Sequence, residues 1–259
     1  MTAPRAVLFD IGGTLWSSPA EDPAALSFCY TRAREALLNA VDPSEVPPIE
    51  DLIEAVEGCF AGWEEVWRQD AGEVNQPPTT EYVARALAEL KLSPSPEVLA
   101  AFTNELLETS VHTARGLELE TGMPEALAGL KQLGLRLGCV SNAFMGAATL
   151  LRIMDERGLA GYLELAISSC EFGMRKPHRS IYEEAAQIMQ LRPEAIIFVG
   201  DRLDADIVGP AAVGMRTVLS HQYRQEDPSQ ADVQPDKVIN HLSELLPYAA
   251  SLLKDEAIA

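Results

Sequence analysis

The chain has 259 residues, 47% of them hydrophobic and 23% charged, a balance typical of a globular protein with a sizeable core. Its formal net charge of −19 argues against nucleic acid or an anionic membrane as a partner, because both are negatively charged. A small anionic substrate stays compatible with this charge if basic residues or a metal ion reverse the field at its site.

The sequence favours a cytoplasmic protein. The chain enters an apolar run almost at once, without the charged-then-apolar segment of a secretion signal. No apolar run approaches the roughly 20 residues that span a bilayer. Four dispersed cysteines show no metal-binding spacing and are expected to be reduced, mostly buried thiols. They are Cys29, Cys59, Cys139 and Cys170.

The first predicted elements are a buried strand and a long helical block. Ala6 to Phe9 is a continuous apolar run, suited to a strand that is covered on both faces. Asp10 and a Gly-Gly pair follow it and predict a tight turn. From about Leu15 to Arg115, helical spacing dominates, and proline pairs divide the stretch into four or five helices. Residues 17–117 are therefore predicted to form a separate all-helical domain.

After about Glu120, helices and strands alternate. Strands are predicted at 135–140, 162–167, 195–199 and 216–219, and helices at 124–133, 147–157, 180–189, 205–213 and 242–253. This alternation predicts right-handed crossovers and a parallel sheet. The predicted fold is α/β: a Rossmann-like parallel-sheet core formed by residues 1–16 and 118–259, with the helical block inserted. The crossings near Ser17 and residues 114–122 would act as hinges.

Polar residues follow three of the predicted strands directly. Asp10, Ser141 and Asp201 each stand at the carboxyl end of a strand, where open parallel sheets bind their ligands. Lys176 lies in a loop before the helix that begins near Ser180, within reach of the same crevice. These residues are therefore expected to meet in one site although they are far apart in sequence.

Four motifs resemble those of the haloacid dehalogenase (HAD) superfamily. They are FDIGGTL at 9–15, VSN at 140–142, GMRKP at 173–177, and VGD followed after four residues by DIVG at 199–209. The motifs occur in order and in the expected structural context, and the resemblance covers residues 5–15 and about 118–245. By position and helix content, the inserted block resembles the family's helical cap, which covers the site and selects the substrate.

The resemblance implies a phosphoryl-transfer site. Asp10 would attack phosphorus and form an aspartyl-phosphate that water later hydrolyses. Lys176 and Ser141 would stabilise charge on the phosphoryl oxygens. The residues implied to bind the phosphate or to hold the nucleophile loop are Gly13, Thr14 and Asn142.

The resemblance also implies a Mg²⁺ site. Asp201 resembles the family's magnesium ligand, and Asp206 would support the metal or its waters. Clustered carboxylates need a compensating cation, and hard oxygen ligands suit Mg²⁺. Asp10 and the backbone carbonyl of Gly12 would complete the set.

Gly12 departs from the pattern of the family's phosphatases. These enzymes usually carry a second Asp two residues after the nucleophile, which protonates the leaving alkoxide and then activates water. Gly12 has no side chain that does either. General acid–base assistance is typically worth about 10²–10⁴-fold, so turnover without it would be slow, and good leaving groups would suffer least.

Three explanations of Gly12 stay open. The first is a phosphatase whose acid comes from the substrate, a metal-bound water or the inserted domain. The second is a family branch without this Asp: a dehalogenase, or a phosphonate-cleaving enzyme, whose cap lysine has only the exposed Lys91 as a counterpart. The third is a non-catalytic binding or regulatory protein on the same fold. Candidate acids in the inserted domain are Tyr30, Glu64, Glu65 and His112.

The sequence as a whole predicts a cytoplasmic, Mg²⁺-dependent HAD-type hydrolase. Its expected substrate is a small phosphorylated metabolite of unspecified identity, and neither nucleic acid nor a membrane is an expected partner. No oligomeric state is predicted. Trp16 follows the nucleophile loop and is expected to line the pocket or to pack at the domain boundary. Trp63 and Trp67 are expected to pack between helices of the inserted domain.

Overall fold

The computed structural model describes residues 2–17, 22–70, 72–114, 119–230 and 232–258. The chain divides into two compact units, a core unit of residues 1–18 and 118–259 and an inserted unit of residues 19–117. The two crossings between them include residues 18–21 and 115–118, which lie outside the described part of the chain. The predicted domain boundaries and hinges therefore stay predictions.

The core unit contains a six-stranded parallel sheet, which confirms the predicted α/β class. Its strands are β1 (Ala6–Phe9), β2 (Arg136–Ser141), β3 (Leu165–Ser168), β4 (Ile196–Gly200), β5 (Arg216–Ser220) and β6 (Lys237–Ile239). The strand order is β3-β2-β1-β4-β5-β6, and all neighbouring strands are parallel. Strand β6 was not predicted from the sequence, because this edge strand has three residues of which only Ile239 is buried.

The inserted unit consists of helices around an apolar core of its own. They are α1 (Pro23–Leu38), α2 (Ile49–Gln69), α3 (Thr79–Glu89) and α4 (Pro96–Ala114). The core takes side chains from all four, with Tyr30, Leu52, Leu87 and Phe102 essentially inaccessible to solvent. Trp63 of α2 packs edge-on against Tyr82 of α3, with ring centroids 5.4 Å apart, as the sequence predicts.

Along the chain, the helices of the core unit lie between and after its strands. They are α5 (Met123–Gln132), α6 (Ala147–Glu156), α7 (Ser169–Phe172), α8 (Arg179–Ile188), α9 (Gly209–Ala211) and α10 (Leu245–Ile258). One prediction was wrong here: instead of a regular helix over 205–213, residues Leu203–Val208 form a wide π-helical turn before the short α9. Such turns are frequent at functional sites.

The cysteines are reduced, as the sequence predicts. All four cysteines are free thiols; Cys29, Cys139 and Cys170 are buried, and Cys59 is partly buried. Within the part of the chain that the structure describes, no helix is both long enough and apolar enough to cross a membrane.

Candidate active site

The loop after β1 places Asp10 at the carboxyl edge of the sheet. Its N–H donates to the carbonyl of Val199 in β4 at 2.8 Å, so the loop begins as a continuation of the sheet. The loop then closes on itself, because the N–H of Gly13 donates to the carbonyl of Trp16 at 2.7 Å and that of Leu15 to Ile11 at 2.9 Å. This local bonding fixes the direction of the buried Asp10 carboxylate.

A buried ion cluster joins three of the predicted residues. Nζ of Lys176 lies 2.6 Å from Oδ1 of Asp10 and 2.7 Å from Oδ1 of Asp206. The Lys176 side chain is 2% exposed, and that of Asp206 is fully buried. Burial alone would lower the pKa of Lys176, but the two carboxylates outweigh it and raise the pKa above its ordinary value. Lys176 is therefore held in its charged form.

Asn142 holds the backbone that carries Lys176. Its Oδ1 accepts from the N–H of Lys176 at 2.8 Å, and its Nδ2 donates to the Lys176 carbonyl at 3.0 Å. Both polar atoms of the Asn142 amide thus bond to the backbone of Lys176, 34 residues further along the chain. The structure gives this side chain a positioning task, and its predicted phosphate contact stays a prediction.

The π-helical turn after β4 fixes Asp206. Its Oδ2 accepts from the backbone N–H of Asp201 at 3.1 Å and of Arg202 at 3.0 Å. A Cβ at Gly200 would lie about 2.2 Å from the Asp206 side chain, so only glycine allows this approach. Because both carboxylate oxygens already accept hydrogen bonds, the geometry favours support of Lys176 and of the loop over direct metal ligation.

Asp201 lies against the loop that follows β1. Gly13, with a φ of 81°, is so close that an added Cβ would stand 2.4 Å from Oδ2 of Asp201. Nε of Arg224 lies 2.8 Å from the same oxygen, so the two side chains form an ion pair. Oδ1 of Asp201 is buried and has no hydrogen-bond partner. Gly13 thus allows the loop to close and Asp201 to pack against it. Its N–H donates to the carbonyl of Trp16, and its predicted phosphate contact stays a prediction.

The carboxylate cluster fits a divalent cation, with Asp10 and Asp201 as possible direct ligands and Asp206 beside them. Asp10, Asp201 and Asp206 each offer an oxygen, and these oxygens lie within 4.8 Å of one another. Burial is the main cause that raises the pKa of Asp201 to about 6, and burial also raises the pKa of Asp206 against the opposing effect of Lys176. An unpartnered buried carboxylate oxygen is costly unless a cation satisfies it. The donor set consists of hard oxygens, which suit Mg²⁺ or a similar ion.

The remaining predicted residues are arranged around this cluster. Ser141 is the buried last residue of β2, beside β1 at the same edge of the sheet. The hydroxyl of Thr14 is buried without a hydrogen-bond partner, and the bond of Thr14 within the loop comes from its backbone N–H, which donates to the carbonyl of Ile11. Gly12 is exposed.

The candidate acids for Gly12 all lie in the inserted unit. Tyr30 donates to Glu57 at 2.6 Å, and His112 packs edge-on against Phe28. Burial, followed by the nearby Glu57, raises the pKa of Tyr30 far above its ordinary value, so Tyr30 is a poor acid. An acid role for Glu64, Glu65 or His112 stays a prediction.

Sequence reasoning missed two residues around the site. Arg224 belongs to none of the motifs. Its one sequence signal is its place after β5, the strand that pairs with β4. Arg157 lies at the end of α6, with its guanidinium carbon 4.6 Å from the centroid of the Trp16 ring. Trp16 is 8% exposed, and its ring is in contact with Arg157.

Comparison with known proteins decides the family. A model of the haloacid dehalogenase-like hydrolases matches residues 4–214. The chain belongs to this family. It is 29% identical to the glyceraldehyde 3-phosphate phosphatase of Methanopyrus kandleri, over 97% of this chain and 99% of that protein. It is 28% identical to the ribulose-1,5-bisphosphate 5-phosphatase of Halopiger xanaduensis, over 93% and 97%.

A solved structure shares the fold of this HAD-like hydrolase. It is the 2-haloacid dehalogenase from Pseudomonas syringae pv. Tomato DC3000, with a TM-score of 0.63 and 23% identity, covering 96% of this chain and 98% of that one. At this identity the likeness shows the fold alone. The family assignment confirms that the protein is a hydrolase, and its phosphatases generally use a divalent metal ion.

The contact between Gly13 and Asp201 predicts that alanine at Gly13 weakens cation binding more than alanine at Gly134, a glycine of the same backbone conformation. Gly13→Ala should abolish divalent-cation binding in calorimetric titration, because the new Cβ displaces Asp201. Gly134 has a φ of 80° and open space around it, so Gly134→Ala bears only the left-handed strain of about 1–2 kcal/mol. Equal cation affinity in the two variants would contradict the assigned packing.

The raised pKa of Asp201 makes stability depend on pH. Its pKa is about 6 in the folded chain and about 4 when unfolded, so between these values only the folded state holds the proton. Stability should therefore fall as the pH rises through this window, by on the order of 3 kcal/mol. Urea unfolding with a chelator from pH 4 to pH 7 measures this. The Asp201→Asn variant does not titrate at this position, so it should lack this part of the pH dependence of stability. A pH dependence equal to that of wild type would contradict the prediction.

Proposed function

We propose that this hydrolase is a Mg²⁺-dependent phosphatase that acts on a small phosphorylated metabolite through an aspartyl-phosphate on Asp10. One observation carries the proposal: the Asp10–Lys176 ion pair lies beside Asp201, whose buried Oδ1 has no partner. The first feature orients a nucleophile, and the second offers a ligand to a cation. The named activities of the two aligned phosphatases support the same reaction class.

Asp10 is the proposed nucleophile. Lys176 holds one of its oxygens, which orients the carboxylate toward a phosphorus atom at the sheet edge. The oxygen of Asp10 bonds to phosphorus while the bond to the leaving oxygen breaks. Water then attacks phosphorus, the Asp10–phosphorus bond breaks, and inorganic phosphate leaves. Gly12 supplies no proton in either step, so the leaving oxygen must take its proton from elsewhere.

The proposed Mg²⁺ ligands are Asp10, Asp201 through Oδ1, and the carbonyl of Gly12. Asp206 would act on the ion through water, since Lys176 and two backbone N–H groups already occupy its oxygens. Bound there, Mg²⁺ would neutralise charge on the phosphoryl group and on the carboxylates. Ser141 and the hydroxyl of Thr14 are proposed to donate to phosphoryl oxygens, because both lie buried near the cluster.

The proposed substrate is a small sugar-phosphate-like metabolite. Support comes from the two aligned relatives, whose names give glyceraldehyde 3-phosphate and ribulose-1,5-bisphosphate as substrates. The net charge of −19 keeps nucleic acid and anionic membranes outside the proposal. Selection of the substrate by the inserted unit, acting as a cap, and a cytoplasmic location are parts of the same proposal.

Hydrolysis of para-nitrophenyl phosphate tests the reaction. Its activated leaving group needs little acid, so wild-type protein should release nitrophenol with Mg²⁺ and lose this activity with a chelator. Asp10→Asn should reduce turnover by at least about 10³-fold. Asp204→Asn is the matched control, since Asp204 pairs with Arg202 outside the cluster and its loss should change little. Absence of wild-type turnover, or chloride release from 2-chloropropionate without metal, would contradict the proposal.

Substitution of Gly12 tests the missing acid. Gly12→Asp should raise the rate of phosphate release from β-glycerophosphate, a poor leaving group, by about 10²-fold or more. On para-nitrophenyl phosphate the gain should be much smaller. Gly12→Asn has nearly the same size but is no general acid, and it should gain nothing. Equal rates of the Asp and Asn variants on β-glycerophosphate would show that acid assistance is not what limits this enzyme.

A further inference from the structure

The loop after β5 brings one arginine to the carboxylate cluster. Nε of Arg224 lies 2.8 Å from Oδ2 of Asp201. The side chain of Arg224 is 52% exposed and that of Asp201 only 2%, so the arginine reaches the carboxylate from the solvent side. No motif and none of the proposed catalytic roles uses this residue.

The loop that carries Arg224 is fixed at both ends. The N–H of His221 donates to Ile239 at 2.8 Å, and Oε1 of Gln222 accepts from the N–H of Leu242 at 2.8 Å. On the other side, Oε2 of Glu226 accepts from the N–H of Leu203 at 2.7 Å. The loop therefore holds the arginine backbone beside the turn that carries Asp201 and Asp206.

The cluster is short of positively charged donors for a phosphoryl group. The ammonium of Lys176 has three N–H bonds, and Asp10 and Asp206 take two of them. At most one is left for an anion with three oxygens and a charge near −2. Among the described residues, Arg224 is the other cation in contact with these carboxylates. A guanidinium has five donors, and the second carboxylate near it, of Glu226, is 3.8 Å away.

We propose that Arg224 is an anion-binding residue of this site, held by Asp201 and transferred to the phosphoryl oxygens of the substrate when a divalent cation neutralises that carboxylate. The phosphate identity of the anion rests on the proposed function. Planar guanidinium groups bind phosphate through paired hydrogen bonds, and a half-exposed side chain has room to turn. Arg224 and the cation then share one carboxylate, so each weakens the hold of the other on it.

The first experiment measures binding without turnover. Inorganic phosphate is titrated calorimetrically into wild type, Arg224→Ala and Arg224→Lys at saturating Mg²⁺. Loss of a charge-assisted hydrogen-bond pair should weaken phosphate binding by about 10- to 100-fold in Arg224→Ala, and less in Arg224→Lys. The matched control is Arg179→Ala, because Arg179 pairs with Glu183 on the surface of α8 and its loss should change nothing. Equal phosphate affinity in wild type and Arg224→Ala, or no binding to wild type, would overturn the proposal.

The second experiment titrates Mg²⁺ without phosphate. Arg224→Ala should bind the ion several-fold more tightly than wild type, since a competing positive charge is gone. Weaker binding would overturn the proposal, because it would mean that Arg224 serves to orient Asp201 for the metal. These readouts separate the two hypotheses: if wild type hydrolyses no phosphate ester but Arg224→Ala still loses phosphate affinity, the phosphatase function fails and the anion-binding role stands.

Discussion

The site depends on one buried ammonium group. Lys176 is 2% exposed and lies between Asp10 and Asp206, at 2.6 and 2.7 Å. A buried charge is tolerated only where partners compensate its lost hydration, and removal of one partner typically costs about 3–5 kcal/mol. The neighbouring structure supplies those partners: Asn142 holds the lysine backbone, and the π-helical turn holds Asp206. The Asp10 carboxylate is thus oriented by an interaction that also stabilises the fold.

The charge balance around this ammonium favours a bound divalent cation. Three carboxylates face Lys176 and Arg224, and burial raises the pKa of two of them. A divalent ion would reverse this excess and leave a field that attracts a phosphate ester. The net charge of −19 therefore does not decide the sign of the potential at the site. The local arrangement decides it.

Much of the site could be predicted because parallel strands end at one edge. Asp10, Lys176, Asp201 and Asp206 meet as expected from their places after strands or before a helix. The directions of side chains could not be predicted. The amide of Asn142 turns to the Lys176 backbone, and the Thr14 hydroxyl makes no loop bond. The exposed loop that brings Arg224 to the cluster has no periodicity, and β6 is too short to form a pattern.

Gly12 and Gly13, the adjacent glycines of the loop after β1, differ in how much space surrounds them. Gly12 is exposed, whereas Gly13 leaves no space between its Cα and the Asp201 carboxylate. Under the proposed function, a change at residue 12 would alter proton transfer and leave Asp10, Asp201 and Asp206 in place. A change at residue 13 is coupled to a residue 188 positions away. The loop thus places an exposed position beside one without free space, so under the proposed function one substitution at residue 12 would change the chemistry without moving Asp201.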